Sequence, residues 1–216
     1  MAKAPIHLPM QTEMRERHWE QVYNTKTCFE VSWYQPHATL SHHLIEKTGL
    51  PTTAAVLDIG SGTSTLVDQL LLSGYDNLAV LDTSAHALSL VRKRLGTNAT
   101  KLKWHHGDIT TYSFSHPVDL WHDRAAFHFL VDPSDRQSYL SRLNETLVPQ
   151  GHLILATFAV GGPNKCSGLD VVLYDAAKIS ATLGESFRLV ETINETHRTP
   201  TGAEQLFVYF RFIRTT

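Results

Sequence analysis

The stretch VLDIGSGTS, residues 56–64, constrains the fold more than any other part of the chain. A short apolar run of the buried-strand kind meets two glycines, and the segment after them, residues 65–74, carries leucines at helical spacing and stops at Gly74. A strand, a glycine turn and a helix in that order open a parallel α/β unit, because parallel strands need a crossover and the crossover is usually a helix. The pattern then repeats. Residues 77–82 read as a second strand, followed by a helix over 84–96 with Ser84 as its cap. Residues 101–108 and 117–123 read as the third and fourth strands, and a helix over 132–151 is stopped by Pro149 and Gly151. A fifth strand at 152–158 and a helix over 174–184 capped by Asp175 complete the series, and residues 187–213 read as two strands around a turn at Pro200 and Gly202. The expected fold is therefore α/β: an open, mostly parallel, doubly wound sheet with helices on both faces.

Ahead of this series, residues 13–23 read as a helix that puts Trp19 and Tyr23 on one face. A break at Pro36 precedes a second helix with Leu40, Leu44 and Ile45 on one side and Gly49 as its cap. With 216 residues and 24.2 kDa, the whole of 1–216 is expected to form one domain. Within it, 1–50 would be a helical lid segment and 51–216 the binding core.

The formal charge of −2 supplies no basic field for a phosphate backbone, so no nucleic-acid partner is expected. Two cysteines, Cys28 and Cys166, suit a reducing compartment, and no run approaches a membrane span or a signal h-region; a cytoplasmic protein with no membrane partner is expected. Thirteen histidines include the doublets His42/His43 and His105/His106, but adjacent side chains diverge on either a helix or a strand, so no metal is expected.

Which ligand the glycine turn serves follows from its acids. A phosphate loop needs a lysine soon after the second glycine, and the first lysine beyond Gly62 is Lys93. A dinucleotide turn needs a third glycine where Thr65 stands, and Asp58 would face a pyrophosphate with like charge. An ammonium-bearing ligand welcomes that carboxylate. Asp82, 22 positions beyond Gly60 at the end of the second strand, suits the two hydroxyls of a ribose, and Asp108, beside the apolar Ile109, suits an adenine amino group. Together they describe a nucleoside site with no phosphate clamp.

LDIGSGT, LAVLD and GDI resemble the first three motifs of the class I S-adenosylmethionine-dependent methyltransferases, a resemblance that covers roughly residue 54 to the end. It implies a Rossmann-like sheet of seven strands in the order 3-2-1-4-5-7-6, with the last strand antiparallel. It also implies S-adenosylmethionine as cofactor, with Asp58 and Gly60 near its methionine part, Asp82 at the ribose, Asp108 and Ile109 at the adenine, and Ser61, Gly62 and Thr83 as further cofactor-binding residues. The segments HWEQVY and EVSWYQ are similar to those preceding the first strand in methyltransferase-like lysine enzymes and in tellurite- and thiopurine-type small methyltransferases. There they fold over the cofactor, which makes Trp33 and Tyr34 substrate-binding candidates.

The acceptor side should lie at the end of the fourth strand, where adenine- and glutamine-directed relatives carry an N/D-P-P-Y/F sequence and this chain has WHDRAAF. Asp123, His122 and His128 are the candidate acids and bases there, and Arg124 a candidate substrate ligand, although an Asp–Arg pair also serves to brace a helix start. Cys166 and His197, in the loops after the fifth and sixth strands, complete the substrate-binding candidates. The expected activity is methyl transfer to a small-molecule acceptor. Two alternatives stay open: protein lysine N-methylation, and a binding protein for S-adenosylmethionine or S-adenosylhomocysteine without turnover.

Overall fold

The computed structural model describes residues 12–216. The first 11 residues of the expected lid segment 1–50 lie outside the described residues. Seven strands form the main sheet: β1 Val56–Ile59, β2 Leu78–Asp82, β3 Leu102–His106, β4 Val118–Arg124, β5 Leu147–Phe158, β6 Phe187–Arg198 and β7 Glu204–Arg214. Their order is β3-β2-β1-β4-β5-β7-β6. The first five run parallel, and β7 runs antiparallel between β5 and β6, as expected. The crossover and flanking helices are α1 Thr12–Thr25, α2 Thr39–Glu46, α3 Leu66–Leu72, α4 Ala85–Leu95, α5 Pro133–Thr146 and α6 Ala176–Leu183.

Strand alternation sorts the core into two layers. Val56, Val80, Leu120, Ile154 and Tyr209 pack with residues of α2, α3 and α4 on one face. Leu57, Leu81, Trp121, Leu155 and Phe210 pack with α5 and α6 on the other. The same alternation turns His122 toward the α2 face and Asp123 toward α5, so these adjacent polar residues are parted by the sheet.

Several helix caps follow the sequence closely. Ser84 Oγ accepts from Ala87 N at 3.1 Å, and Asp175 Oδ1 accepts from Lys178 N at 2.8 Å. One boundary differs. The helix expected to run to Gly151 ends at Thr146, and β5 begins at Leu147, paired with Val118 of β4. Pro149 acts earlier than its own position, because a residue before proline is driven to extended backbone and Val148 has already left the helix. Three short pieces were not expected: 3-10 turns at Gly96–Lys101 and Phe127–Phe129, and a small hairpin pairing Lys165–Cys166 with Leu169–Asp170.

Candidate active site

The carboxyl ends of β1, β2, β3 and β4 converge on a cavity, open in part to solvent and roofed by α1 and the chain after it. Asp82, Thr83, Asp108 and Ile109 line its floor beside Gly60. Asp82 is buried; its Oδ2 accepts from Gly62 N at 2.7 Å and its Oδ1 from Ser84 N at 2.8 Å. Burial nevertheless pushes its carboxyl up to about 6, against these hydrogen bonds. Asp108 Oδ1 accepts from Thr110 N and Thr110 Oγ1, and Asp108 Oδ2 accepts from Arg15 Nε at 2.6 Å.

A second, smaller cavity adjoins the first, sharing Trp33, Gly60 and Arg124 with it, and Asp58, Ser61 and His122 lie along its wall. Asp58 Oδ1 is 2.6 Å from His122 Nδ1, and His122 Nε2 is 2.9 Å from Ser41 Oγ. Asp58 Oδ2 and Ser61 Oγ are buried without a hydrogen-bond partner among the described residues. An unpaired buried carboxylate oxygen is costly, and an ammonium group would satisfy it.

The glycines of the turn act through space that a side chain would fill. Gly60, at φ +60°, would bring a Cβ to 2.5 Å from that of Ala126, and Gly62, at φ +50°, to 2.1 Å from Tyr23 Oη. The loop thus passes tightly between β4's exit and the roof. The buried acids and the glycine cradle fit an adenosine joined to an amino-acid tail, lying across the two cavities.

The roof is made by residues that the sequence pattern did not single out as binding. Arg15 bridges Asp108 and, through Nη1 at 2.6 Å, Asp135 at the start of α5. Glu20 Oε2 accepts from Ser84 Oγ at 2.6 Å and from His86 N at 3.2 Å, tying α1 to the start of α4. Trp19 and Tyr23 then line the larger cavity, with Trp19 edge-on to Trp33 and Phe129 at 5.7 and 4.9 Å between ring centroids. No motif marks Arg15; only its place one turn before Trp19 on an amphipathic helix hinted that it faces inward.

The acceptor-side candidates divide. Trp33, Arg124 and Cys166 line the larger cavity, and Tyr34 the smaller. Asp123 does not reach either: its Oδ1 accepts from Ala126 N and Phe127 N at 2.9 and 3.2 Å, and its Oδ2 from Tyr139 Oη at 2.9 Å. Those bonds hold the turn in which Ala125 takes φ +70°. His128 is fully buried, its Nδ1 accepting from Phe158 N at 3.2 Å, and burial lowers its basicity to about 3. His197 Nε2 meets the Ser32 carbonyl at 2.7 Å and so anchors the roof segment to β6. His122, expected as a base, is instead paired with Asp58.

Residues 56–151 match a family model described as a methyltransferase domain. The chain carries a methyltransferase domain with the class I fold. Its sheet order and the acids at successive strand ends agree with that match. Among solved structures, a methyltransferase from Anabaena variabilis ATCC 29413 superposes with a TM-score of 0.73 at 15% identity, covering 98% of each chain. The N-methyltransferase NodS from Bradyrhizobium japonicum WM9, in complex with S-adenosyl-L-homocysteine, gives 0.69 at 17% identity, covering 92% of this chain and 100% of that one. The glycopeptide N-methyltransferase MtfA complexed with sinefungin gives 0.64 at 15% identity, covering 86% and 92%. At such identities the likeness speaks for the fold. No curated protein matches this methyltransferase in sequence.

Proposed function

We propose that this methyltransferase takes the methyl group of S-adenosylmethionine to a small-molecule acceptor and releases S-adenosylhomocysteine. The observation that carries the reading is the pair of adjoining cavities, one lined by Asp82 and Asp108 and the other by Asp58, whose buried Oδ2 has no hydrogen-bond partner among the described residues. That division matches a nucleoside with an ammonium-bearing tail. The structures of NodS with S-adenosyl-L-homocysteine and of MtfA with sinefungin support the same ligand class.

When bound, the cofactor supplies an activated methyl group. The chain's own residues do the rest. Asp58, steadied by His122 and Ser41, holds the ammonium; Asp82 and the Thr83 turn take the ribose; Asp108 and Ile109 take the adenine. Gly60 and Gly62 let the backbone come close, with Ser61 Oγ beside Asp58. Asp123 fixes the turn that abuts Gly60, a positioning part rather than a base. Trp19, Tyr23 and Trp33 exclude water, and orientation of this kind contributes up to about 7–11 kcal/mol to a displacement.

The roof favours a small acceptor. Arg15 and Glu20 bind α1 down at two points, so an acceptor has to fit the enclosed space beside the cofactor rather than approach as a protein side chain on a folded surface. Incubation with radiolabelled S-adenosylmethionine and a cell extract, followed by separation by size, tests this. Label in the small-molecule fraction is the expected result, and label confined to protein would reverse the choice of acceptor.

A further inference from the structure

Ser61 carries the inference, which rests on the two-cavity reading above. Its side chain is buried in the wall of the smaller cavity, at 8% exposure, and its Oγ has no hydrogen-bond partner among the described residues. The backbone that carries this hydroxyl is fixed on both sides. Ser61 N donates to the Leu81 carbonyl at 3.1 Å, and the Ser61 carbonyl accepts from Ser64 N at 2.9 Å. Other polar groups along the same wall are engaged: Ser64 Oγ accepts from Leu66 N at 3.1 Å, Gln35 Nε2 donates to Glu195 Oε1 at 3.2 Å, and the His122 ring lies between Asp58 and Ser41. A buried hydroxyl without a partner is costly, so a ligand that satisfies it gains affinity.

The chemistry of that ligand follows from the second unsatisfied atom of the same cavity. Asp58 Oδ2 only accepts, and its charge calls for a cationic donor. A serine hydroxyl can donate, and this one is not turned onto Asp58 Oδ2, since each of the two atoms lacks a partner. The group that answers both is a cation with an acceptor beside it, as in the ammonium and carboxylate of an α-amino acid. Arg124, the permanent cation of this wall, is already matched. Glu195 Oε2 stands 3.8 Å from its Nη2, and its Nε and Nη1 donate to Tyr209 Oη and the Trp33 carbonyl at 2.8 and 3.1 Å. A carboxylate in this cavity therefore draws its counter-charge from its own ammonium and needs a neutral donor to hold it.

We propose that Ser61 Oγ donates to the carboxylate of the cofactor's amino-acid tail while the ammonium rests on Asp58 Oδ2. Ser61 is then a specificity-determining residue. Asp58 by itself accepts any chain that ends in an ammonium, including the propylamine chain left when the tail is decarboxylated. The hydroxyl adds recognition of the carboxylate, so the smaller cavity favours S-adenosylmethionine over its decarboxylated counterpart as the methyl donor.

Calorimetry with three nucleosides separates the two halves of the tail: S-adenosylhomocysteine, its decarboxylated form, which keeps the amine, and its deaminated form, which keeps the carboxylate. Wild-type protein should bind S-adenosylhomocysteine about tenfold or more tighter than the decarboxylated form. Ser61→Ala should lose about tenfold in affinity for S-adenosylhomocysteine and for the deaminated form, and less than about twofold for the decarboxylated one. Because the hydroxyl has no partner among the described residues, the variant should unfold at the same denaturant concentration as the wild type, which separates a ligand contact from damage to the fold. Equal losses for all three ligands, or no loss for any, overturn the proposal. So does a loss for the decarboxylated form that the deaminated form escapes, which would put the hydroxyl on the ammonium. Wild-type protein that binds adenosine as tightly as S-adenosylhomocysteine would instead defeat the two-cavity reading itself.

Discussion

At the scale of single residues, the proposed site leaves particular atoms unpaired. Asp58 Oδ2 is one, so Asp58→Ala should weaken S-adenosylhomocysteine binding by about 10- to 100-fold, the worth of one charge-assisted hydrogen bond. Methylthioadenosine, which lacks the ammonium, should bind the variant as it binds the wild type; an equal loss for both in calorimetry would remove Asp58 from the tail. Asp82 adds a pH dependence. Its carboxyl is held up at about 6, and ribose hydroxyls need the ionised form, so affinity should be full above that value and fall as pH drops through it. Asp82→Asn should bind weakly with a flat profile, and a wild-type profile that is flat from pH 5 to 8 would contradict the assignment. The placing of Asp58, Asp82 and Asp108 at or just beyond the carboxyl ends of successive strands was readable from the sequence, because period and turn chemistry reveal those ends. Asp123 and His128 were not, because a sequence does not say which face of a strand end meets solvent. Their neighbours Trp121, Tyr139 and Phe158 close around them.

Among the elements, the roof and the turn after β4 decide whether the cavities are usable. Arg15→Ala should free α1 from Asp108 and Asp135, and hydrogen exchange in α1 should quicken while the β1–β4 core stays protected. Unchanged exchange in α1 would mean that Glu20 alone holds it. Asp123→Ala would leave two backbone N–H groups and the Tyr139 hydroxyl without their acceptor. It should therefore cost about 2–4 kcal/mol of stability, read by chemical denaturation. Full stability with lost turnover would return Asp123 to the part of a base. The strands, most helix caps and the antiparallel end were legible in advance, since each depends on local period and punctuation. The contacts of Arg15 and Glu20 were not, because they join residues 93 and 64 positions apart in sequence.

Across the whole molecule, the architecture brings four strand ends and one N-terminal helix to a single place, and the function follows from that convergence rather than from any one motif. The seven-stranded order sets β1 between β2 and β4, so the glycine turn lies beside both Asp82 and the exit of β4. The most direct test is a calorimetric comparison of S-adenosylhomocysteine, methylthioadenosine and adenosine on the wild-type protein. Binding should weaken in that order, with the largest step on removal of the amino-acid tail. Equal affinity for all three would contradict the two-cavity account, and absence of binding by S-adenosylhomocysteine would contradict the methyltransferase reading as a whole.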